Sequence, residues 1–395
     1  MPSIKASIAC IGKFHHFDLA RQLYKRNMLE RIFTGYPLWK LRDEQIPQRL
    51  ITTFPWLQTL SIGLERWEFL NQKTKRELAW WSHKTFDHFV KAAMPESHIL
   101  FALSSSVLEA GKKMQEQGGM FVCDRGSSHI RYQDAILRDE YARWGADFQG
   151  VDSRILSSDE ESYEIADLIT VPSSFSYRTF LQHGIPERKL RKVPYGVDIT
   201  RFQKIADVSS EWFDVLFVGQ VGFRKGIPYL LNAFQSFKHP KKRLTIVGAI
   251  QPEIKSFLNQ LQMSENIRFL GVVPQTELKY IMSSSHTMVL PSIEEGLALV
   301  QAQALACGCP VIGTEHSGAE DIYTNDVEGF IIPIRNPKAI TEKLQVLADN
   351  PLKHQTMSAA ALQRVQSLGG WDTYGNHMAQ IFTDLCSVEI IEKTN

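Results

Sequence analysis

The stretch that most constrains what this chain can fold into runs from Thr287 to Asp321, TMVLPSIEEGLALVQAQALACGCPVIGTEHSGAED. Thr287 to Leu290 reads as a short buried strand, stopped by Pro291-Ser292. An acidic loop with Glu294 and Glu295 follows, then Gly296, then a predicted helix from about Leu297 to Ala306 closed by Cys307-Gly308. Cys309 to Gly313 is the next apolar strand. A strand that turns through glycine into a helix points unpaired backbone N–H groups beyond the sheet edge, where a phosphate can bind. An ordinary strand–turn–helix of a doubly wound sheet accounts for the apolar residues. It does not account for two glutamates beside a glycine at the sheet edge.

The same rhythm recurs along the chain. Ile4 to Ile11 is an apolar run, Gly12 to Phe17 the turn after it, and Asp18 to Arg26 carries helical spacing. Gly12 stands alone with no G-x-G-x-x-G, so dinucleotide binding gains little support. Strands are predicted at Ile99–Leu103, Met120–Cys123 and Asp167–Val171, the last ended by Pro172-Ser173-Ser174-Phe175, with helices over Val107–Gln117 and up to His183-Gly184. Residues 203–212 are polar and aperiodic and read as a linker. Beyond it, strands at Asp214–Val218, Leu244–Gly248 and Ile267–Leu270, with a helix over Pro228–Phe234, repeat the βαβ pattern. A chain of 395 residues is long enough for two or three such domains.

The order of residues resembles retaining glycosyltransferases of the GT-B fold, glycosyltransferase family 4. Their pattern P-S-x-x-E-G-F-G-L-x-x-x-E-A-M-A-x-G-x-P-V-I is met by Pro291-Ser292, Glu295-Gly296, Leu299, Ala304, Ala306, Gly308 and Pro310-Val311-Ile312. The second glutamate of the pair falls on Gln303 and the second glycine on Ala298. The series around Val171-Pro172-Ser173, Gly184-Ile185-Pro186 and Val193-Pro194-Tyr195-Gly196-Val197-Asp198 also resembles the end of that family's first domain. The resemblance implies an α/β chain with two Rossmann-like domains facing each other across a cleft. The first, acceptor-side domain would span 1–202 and the second, nucleotide-sugar domain 203–370. A terminal helix over 371–395 would pack back on the first.

The resemblance also implies roles. Lys225 and Gly226 match the family's G-R-x-x-x-x-K-G diphosphate motif; Gln220 replaces its arginine, and Arg224 supplies a second cation. Two cations there would neutralise the charge that builds on the leaving group. Glu295 would reach the transferred sugar, while Gly222, Gly296, Leu297, Ala298, Leu299 and Gln303 would line the donor site, Gln303 at the ribose. His129 is a catalytic candidate near the donor sugar, and Gly12, Lys13, His15 and His16 are acceptor-side candidates on the first loop. Gly318 and Glu320 would form a turn beside the sugar. The implied reaction moves a sugar from a nucleotide-diphosphate sugar to an acceptor hydroxyl with retention, the departing phosphate taking the acceptor's proton. No metal or resident cofactor is implied, and the chain contains no D-x-D. The setting would be polysaccharide or glycolipid assembly, with a glycan or lipid-linked acceptor. Two other readings stay open: a nucleotide-sugar epimerase, or a non-catalytic nucleotide-sugar-binding member, for which Gln220 and Gln303 speak.

Composition narrows the setting. The 44 Lys+Arg nearly balance 43 Asp+Glu, which argues against a nucleic-acid partner. Five cysteines without a C-x-x-C pair argue against a disulfide framework. The N-terminus lacks the pattern of a signal peptide, and no apolar run reaches the ~18 residues of a membrane span, so a cytoplasmic protein is expected. Residues 37–95 are rich in aromatics (Trp39, Trp56, Trp67, Phe69, Trp80, Trp81, Phe86) interleaved with Arg66, Lys73, Lys75, Arg76 and Lys84. They read as a helical insertion packing its tryptophans on the first sheet, or as a peripheral docking surface for the inner face of an anionic membrane.

Overall fold

The computed structural model describes residues 4–59 and 71–394. Trp67, Phe69 and Arg66 lie outside the described residues. Two parallel sheets carry the fold. The first contains β1 (Ala6–Cys10), β2 (Leu29–Thr34), β3 (Ile51–Thr53), β4 (Ile99–Leu103), β5 (Met120–Asp124), β6 (Leu168–Val171) and β7 (Leu190–Lys192), in the order β3-β2-β1-β4-β5-β6-β7. The second contains β8 (Phe213–Val218), β9 (Lys242–Val247), β10 (Ile267–Gly271), β11 (Thr287–Leu290), β12 (Val311–Thr314) and β13 (Gly329–Ile332), in the order β10-β9-β8-β11-β12-β13.

Both orders reverse direction once, between β1 and β4 in the first sheet and between β8 and β11 in the second. At such a reversal the loops leaving adjacent strand ends diverge to opposite faces and open a crevice, where ligands of open α/β sheets bind. The stretch from Thr287 to Asp321 therefore has its place: β11 lies against β8, with Met288 opposite Leu216.

Successive strand residues face opposite sides of a sheet, and the first sheet is covered on both. Ala9, Leu100 and Phe121 enter one core with Phe86 and Phe180. Their neighbours Ile8, Phe101 and Val122 enter the other with Phe17 and Leu19. The helix Trp371–Thr394 adds Tyr374, Met378 and Phe382 to that second core. Spacing of four residues puts these three side chains on one helical face, and burying each contributes roughly 1.5–3 kcal/mol.

The tryptophan-rich region differs from the expectation of packed tryptophans. The helix Gln72–Ala93 is capped by Asn71, whose side chain accepts from Thr74 N at 2.8 Å. It buries Phe86 and Val90. Trp39, Trp56 and Trp81 are instead 64%, 75% and 57% exposed. Trp80 is half-buried, with the Arg154 guanidinium 5.0 Å and the Lys84 ammonium 5.2 Å from its ring centroid. The helix needs only one apolar stripe against the sheet, and Phe86 and Val90, four residues apart, supply it. Among the described residues no helix is long and apolar enough to cross a membrane.

Candidate active site

The loops that follow β8 and β11 meet because their strands are neighbours. Gly219 to Gly226 leaves β8, and Pro291 to Leu299 leaves β11. Gly226 has φ +70°, and a Cβ there would lie 1.9 Å from Pro291 O, so only glycine lets the two loops touch. The contact brings two cations onto two carboxylates. Lys225 Nζ pairs with Glu295 Oε1. Arg224 Nη1 lies 3.6 Å from both Glu294 Oε2 and Glu295 Oε2, and donates to Glu294 O at 3.2 Å.

The electrostatics of the four groups are coupled. Burial, then the Arg224 charge, lower the Lys225 pKa to about 7, against the Glu294 carboxylate, which raises it. Burial raises that of Glu294, but Arg224 and hydrogen bonds from Gln133, Ser127 and Ser128 outweigh it and hold the carboxyl down at about 2. Glu294 is therefore ionised at neutral pH, while Lys225 is poised to gain or lose its charge.

Glu294 belongs to the second domain, yet its hydrogen bonds come from the first. Ser127 Oγ donates at 2.5 Å, Ser128 N at 3.1 Å, Ser128 Oγ at 2.6 Å and Gln133 Nε2 at 3.0 Å. Beside this hub the backbones touch. A Cβ on Gly296 would sit 1.9 Å from Gly126 O, so the glycine is what permits the approach. Asp321 accepts from Ser174 N at 2.7 Å and from Lys192 Nζ at 2.8 Å, and Arg335 pairs with Glu140 at 2.6 Å. The domains stand closed on each other.

Two cavities open along the cleft. One, of about 430 Å³, is lined by Gln220, Gly222, Arg224 and Lys225 together with Tyr141 and Gln149. The other, of about 710 Å³, is lined by Gln303 and Gln275 from the second domain and by Lys13, Phe14 and Arg21 from the first. Both have the size of ligand sites. Gln303 and the Arg224–Lys225 pair thus share a cleft but not a cavity.

Several sequence-predicted residues sit differently from their expected roles. The helix over 297–306 begins at Val300, not near Leu297. Leu297, Ala298 and Leu299 form a loop instead, because Ala298 N donates across to Ser317 O at 3.2 Å. Leu297 and Ala298 are buried. Gln220 is exposed. The imidazole of His129 accepts from Arg131 N at 3.3 Å as the N-cap of the helix Ile130–Arg143. Its ring packs on Tyr163, Phe180 and His183, and burial, then His183, lower its pKa to about 3. The ring of the catalytic candidate His129 is thus a neutral cap within the first domain. His16 is fully buried against Phe101, so it does not present itself to an acceptor. Lys13 pairs with Glu44 at the second cavity. Glu320 pairs with Arg178 of the first domain at 2.6 Å, a closing contact between domains. Sequence reading named Glu294 without a role and missed Asp124. Asp124 accepts from Thr170 Oγ1 at 2.7 Å and binds His15 Nε2 at 2.9 Å.

Residues 198–364 match the family described as Glycosyl transferases group 1. Among curated proteins, the chain is 25% identical over 269 residues to an uncharacterized glycosyltransferase of Methanocaldococcus jannaschii, covering 64% of this chain and 68% of that one. It is 24% identical over 172 residues to a putative colanic acid biosynthesis glycosyltransferase of Escherichia coli, covering 41% of this chain and 42% of that one. The aligned stretch thus spans about two thirds of the first relative and under half of the second. Among solved structures, a sucrose-phosphate synthase from Thermosynechococcus elongatus superposes with a TM-score of 0.75 at 19% identity, over 98% of this chain and 100% of that one. That likeness shows the fold. The two parallel sheets, each with its crevice, have the GT-B fold.

Proposed function

We propose that the protein moves a sugar from a nucleotide-diphosphate sugar to an acceptor hydroxyl, with retention and without a metal bridging the diphosphate. The observation that carries the reading is the clasp of Arg224 and Lys225 on Glu294 and Glu295 at the sheet reversal. A diphosphate entering there exchanges carboxylate partners for its own oxygens, so the two cations need no new desolvation. The same cations hold the charge that grows on the leaving diphosphate as the glycosidic bond breaks. Glu295, released from Lys225, is then free for the hydroxyls of the sugar. Gln303 offers a carbonyl and an amide to the ribose from the other cavity.

An acceptor in polysaccharide or glycolipid assembly is supported by the likeness to the putative colanic acid biosynthesis glycosyltransferase of Escherichia coli. A lipid-linked acceptor is further favoured by the exposed Trp39, Trp56 and Trp81 on the acceptor-side domain. The test is a panel of UDP-, GDP- and ADP-sugars, scored by thermal stabilisation and by slow nucleotide release. At least one is expected to do both. A panel in which none stabilises the protein overturns the reading. Stabilisation without release, under any acceptor tried, favours a binding member of the fold.

A further inference from the structure

β7 is an edge strand of the first sheet, and with the helix Ser174–Gln182 it walls a groove of about 710 Å³ outside the two cleft cavities. Four cations line the groove, Arg178, Arg188, Arg191 and Lys192, against one carboxylate, Glu187, which the Tyr177 hydroxyl engages at 3.2 Å. The second domain neutralises two of the four: Arg178 Nη2 lies 2.6 Å from Glu320 Oε1, and Lys192 Nζ 2.8 Å from Asp321 Oδ1. Among the described residues, neither Arg188 nor Arg191 stands within ion-pair distance of a carboxylate. Arg191 Nη1 donates instead to the carbonyls of Arg188, at 3.1 Å, and Leu190, at 2.8 Å. Charges set singly along a strand edge serve to blunt it. Here they converge on a concave wall, which focuses their field on whatever enters.

The groove already receives one anion from the second domain. Asp321 Oδ2 accepts from Ser174 N at 2.7 Å, and Oδ1 accepts from the Ser174 hydroxyl and from Lys192 Nζ, each at 2.8 Å. The Asp321 side chain is only 4% exposed, so an ion from solvent meets Ser174 N only after the carboxylate has withdrawn. Two carboxylate oxygens satisfy Ser174 and Lys192 and leave Arg188 and Arg191 without an anion. A phosphate group carries more charge and more acceptor oxygens, and guanidinium forks match their geometry.

We propose that this groove takes a phosphate-bearing ligand, held by Arg188 and Arg191 and completed by Lys192 and Ser174 N, which replaces the Asp321 carboxylate and so unlatches the second domain at this edge. A ligand that binds the released form alone draws the closed form open by mass action. The site stands apart from the transferase reading, as none of these groups lines the cavity of Arg224 and Lys225. A free phosphate compound and a phospholipid headgroup carry the same chemistry, and the experiment separates them.

Calorimetry with inorganic pyrophosphate and sedimentation with phosphatidylglycerol vesicles are run on four proteins: wild type, Arg188→Ala combined with Arg191→Ala, Asp321→Asn, and Lys225→Ala. The last reports any pyrophosphate held at the clasp instead. Both arginines are exposed, so removing them leaves the fold intact. Their double variant should lose about tenfold in affinity for each charge-assisted bond removed. Asp321→Asn should bind roughly fivefold more tightly than wild type, because its neutral amide competes less well for the same donors. Lys225→Ala should keep the site. Pyrophosphate should also widen the interdomain angle of the wild type by small-angle scattering, and leave that of the arginine variant unchanged. Binding of pyrophosphate with this ranking identifies a free phosphate compound. Binding to vesicles alone, with the same ranking, identifies a headgroup, and either result upholds the site. Equal binding by wild type and the arginine variant overturns the proposal, as does binding that disappears in Lys225→Ala. Unchanged affinity in Asp321→Asn overturns it as well, because the anion would then sit beside the carboxylate and not in its place. If neither probe binds, the arginines are edge charges only and the site falls.

Discussion

Glu294 and Ser128 stand 166 residues apart and join the two domains: Ser128 gives the carboxylate both its backbone N–H, at 3.1 Å, and its hydroxyl, at 2.6 Å. Because Glu294 is fully buried and ionised, its partners on both sides depend on it. Glu294→Ala would leave the Ser127 and Ser128 donors and the Arg224 charge facing a void. Stripping one partner from a buried charged cluster costs about 3–5 kcal/mol. The expected result is a lowered urea midpoint for that variant, with a wider interdomain angle by small-angle scattering. Glu294→Gln, which keeps the shape, should lose less. Equal stability of wild type and Glu294→Ala would show that the hub adds nothing to closure.

How far this arrangement could be read from residue order depends on the range of each contact. The strand–loop–helix order around β11 was legible, since buried parallel strands are continuous apolar runs punctuated by proline and glycine. The Arg224–Lys225 turn was legible as well, because its residues are contiguous. Contacts between distant loops were not. The Asp124–His15 pair spans 109 residues, and neither residue is unusual where it stands. The capping role of His129 was hidden for a related reason: a histidine before a helix reads equally as a cap or as a ligand, and the packing of Tyr163 and Phe180 around it appears only in the fold. Trp39, Trp56 and Trp81, which one of the two readings packed on the first sheet, lie on the surface, as hydropathy does not tell which of several aromatics is buried.

Gln303 is the clearest departure from the paired-glutamate pattern. It lines a cavity with Lys13, Arg21 and Arg201 as well as with Asp18 and Glu44. If it holds the ribose, Gln303→Ala should raise donor KM more than it lowers kcat, because ribose contacts change little on the way to the transition state. Gln303→Glu restores a charge-assisted bond, about 1.5–3 kcal/mol against 0.5–1.5 for a neutral one, so donor should bind up to about tenfold more tightly. Calorimetric titration of both variants checks this. Unchanged affinity in Gln303→Ala would place the ribose elsewhere.

Trp39, Trp56 and Trp81 are exposed on the first domain, Trp39 next to Lys40 and Trp81 just before Lys84 in sequence. Amphipathic rings beside cations favour the interface of an anionic bilayer, at roughly 1 kcal/mol for each basic residue near the surface. Sedimentation with phosphatidylglycerol vesicles is expected to bring the protein down at low salt, with binding falling as salt screens the charges. Trp56→Ala combined with Trp81→Ala should weaken it at every salt concentration. No binding to these vesicles at low salt removes the membrane from the account.

If Lys225 holds the donor diphosphate, donor binding depends on pH in a definite direction. Burial and the Arg224 charge depress its pKa to about 7, far below the usual lysine value. Below that pH the ammonium is already charged and ready for a diphosphate. Above it the free site is increasingly neutral, and binding must first restore the proton. A bound diphosphate adds negative charge beside Nζ and raises its pKa, so above pH 7 each donor bound takes up close to one proton. Donor Kd should therefore be flat on the acid side of pH 7 and rise toward tenfold per pH unit on the alkaline side. Glu294, ionised throughout this range, adds no slope of its own. Lys225→Arg should flatten the profile, because a guanidinium stays charged. Lys225→Ala should keep the fold and lose about 10²–10³-fold in kcat, the scale for removing one charge-stabilising donor. Calorimetry of a nucleotide sugar at pH 8, in two buffers of different ionisation enthalpy, reads the proton directly. An identical heat in both buffers, together with a flat Kd from pH 6 to 8.5, would mean that Lys225 is fully charged before the donor arrives.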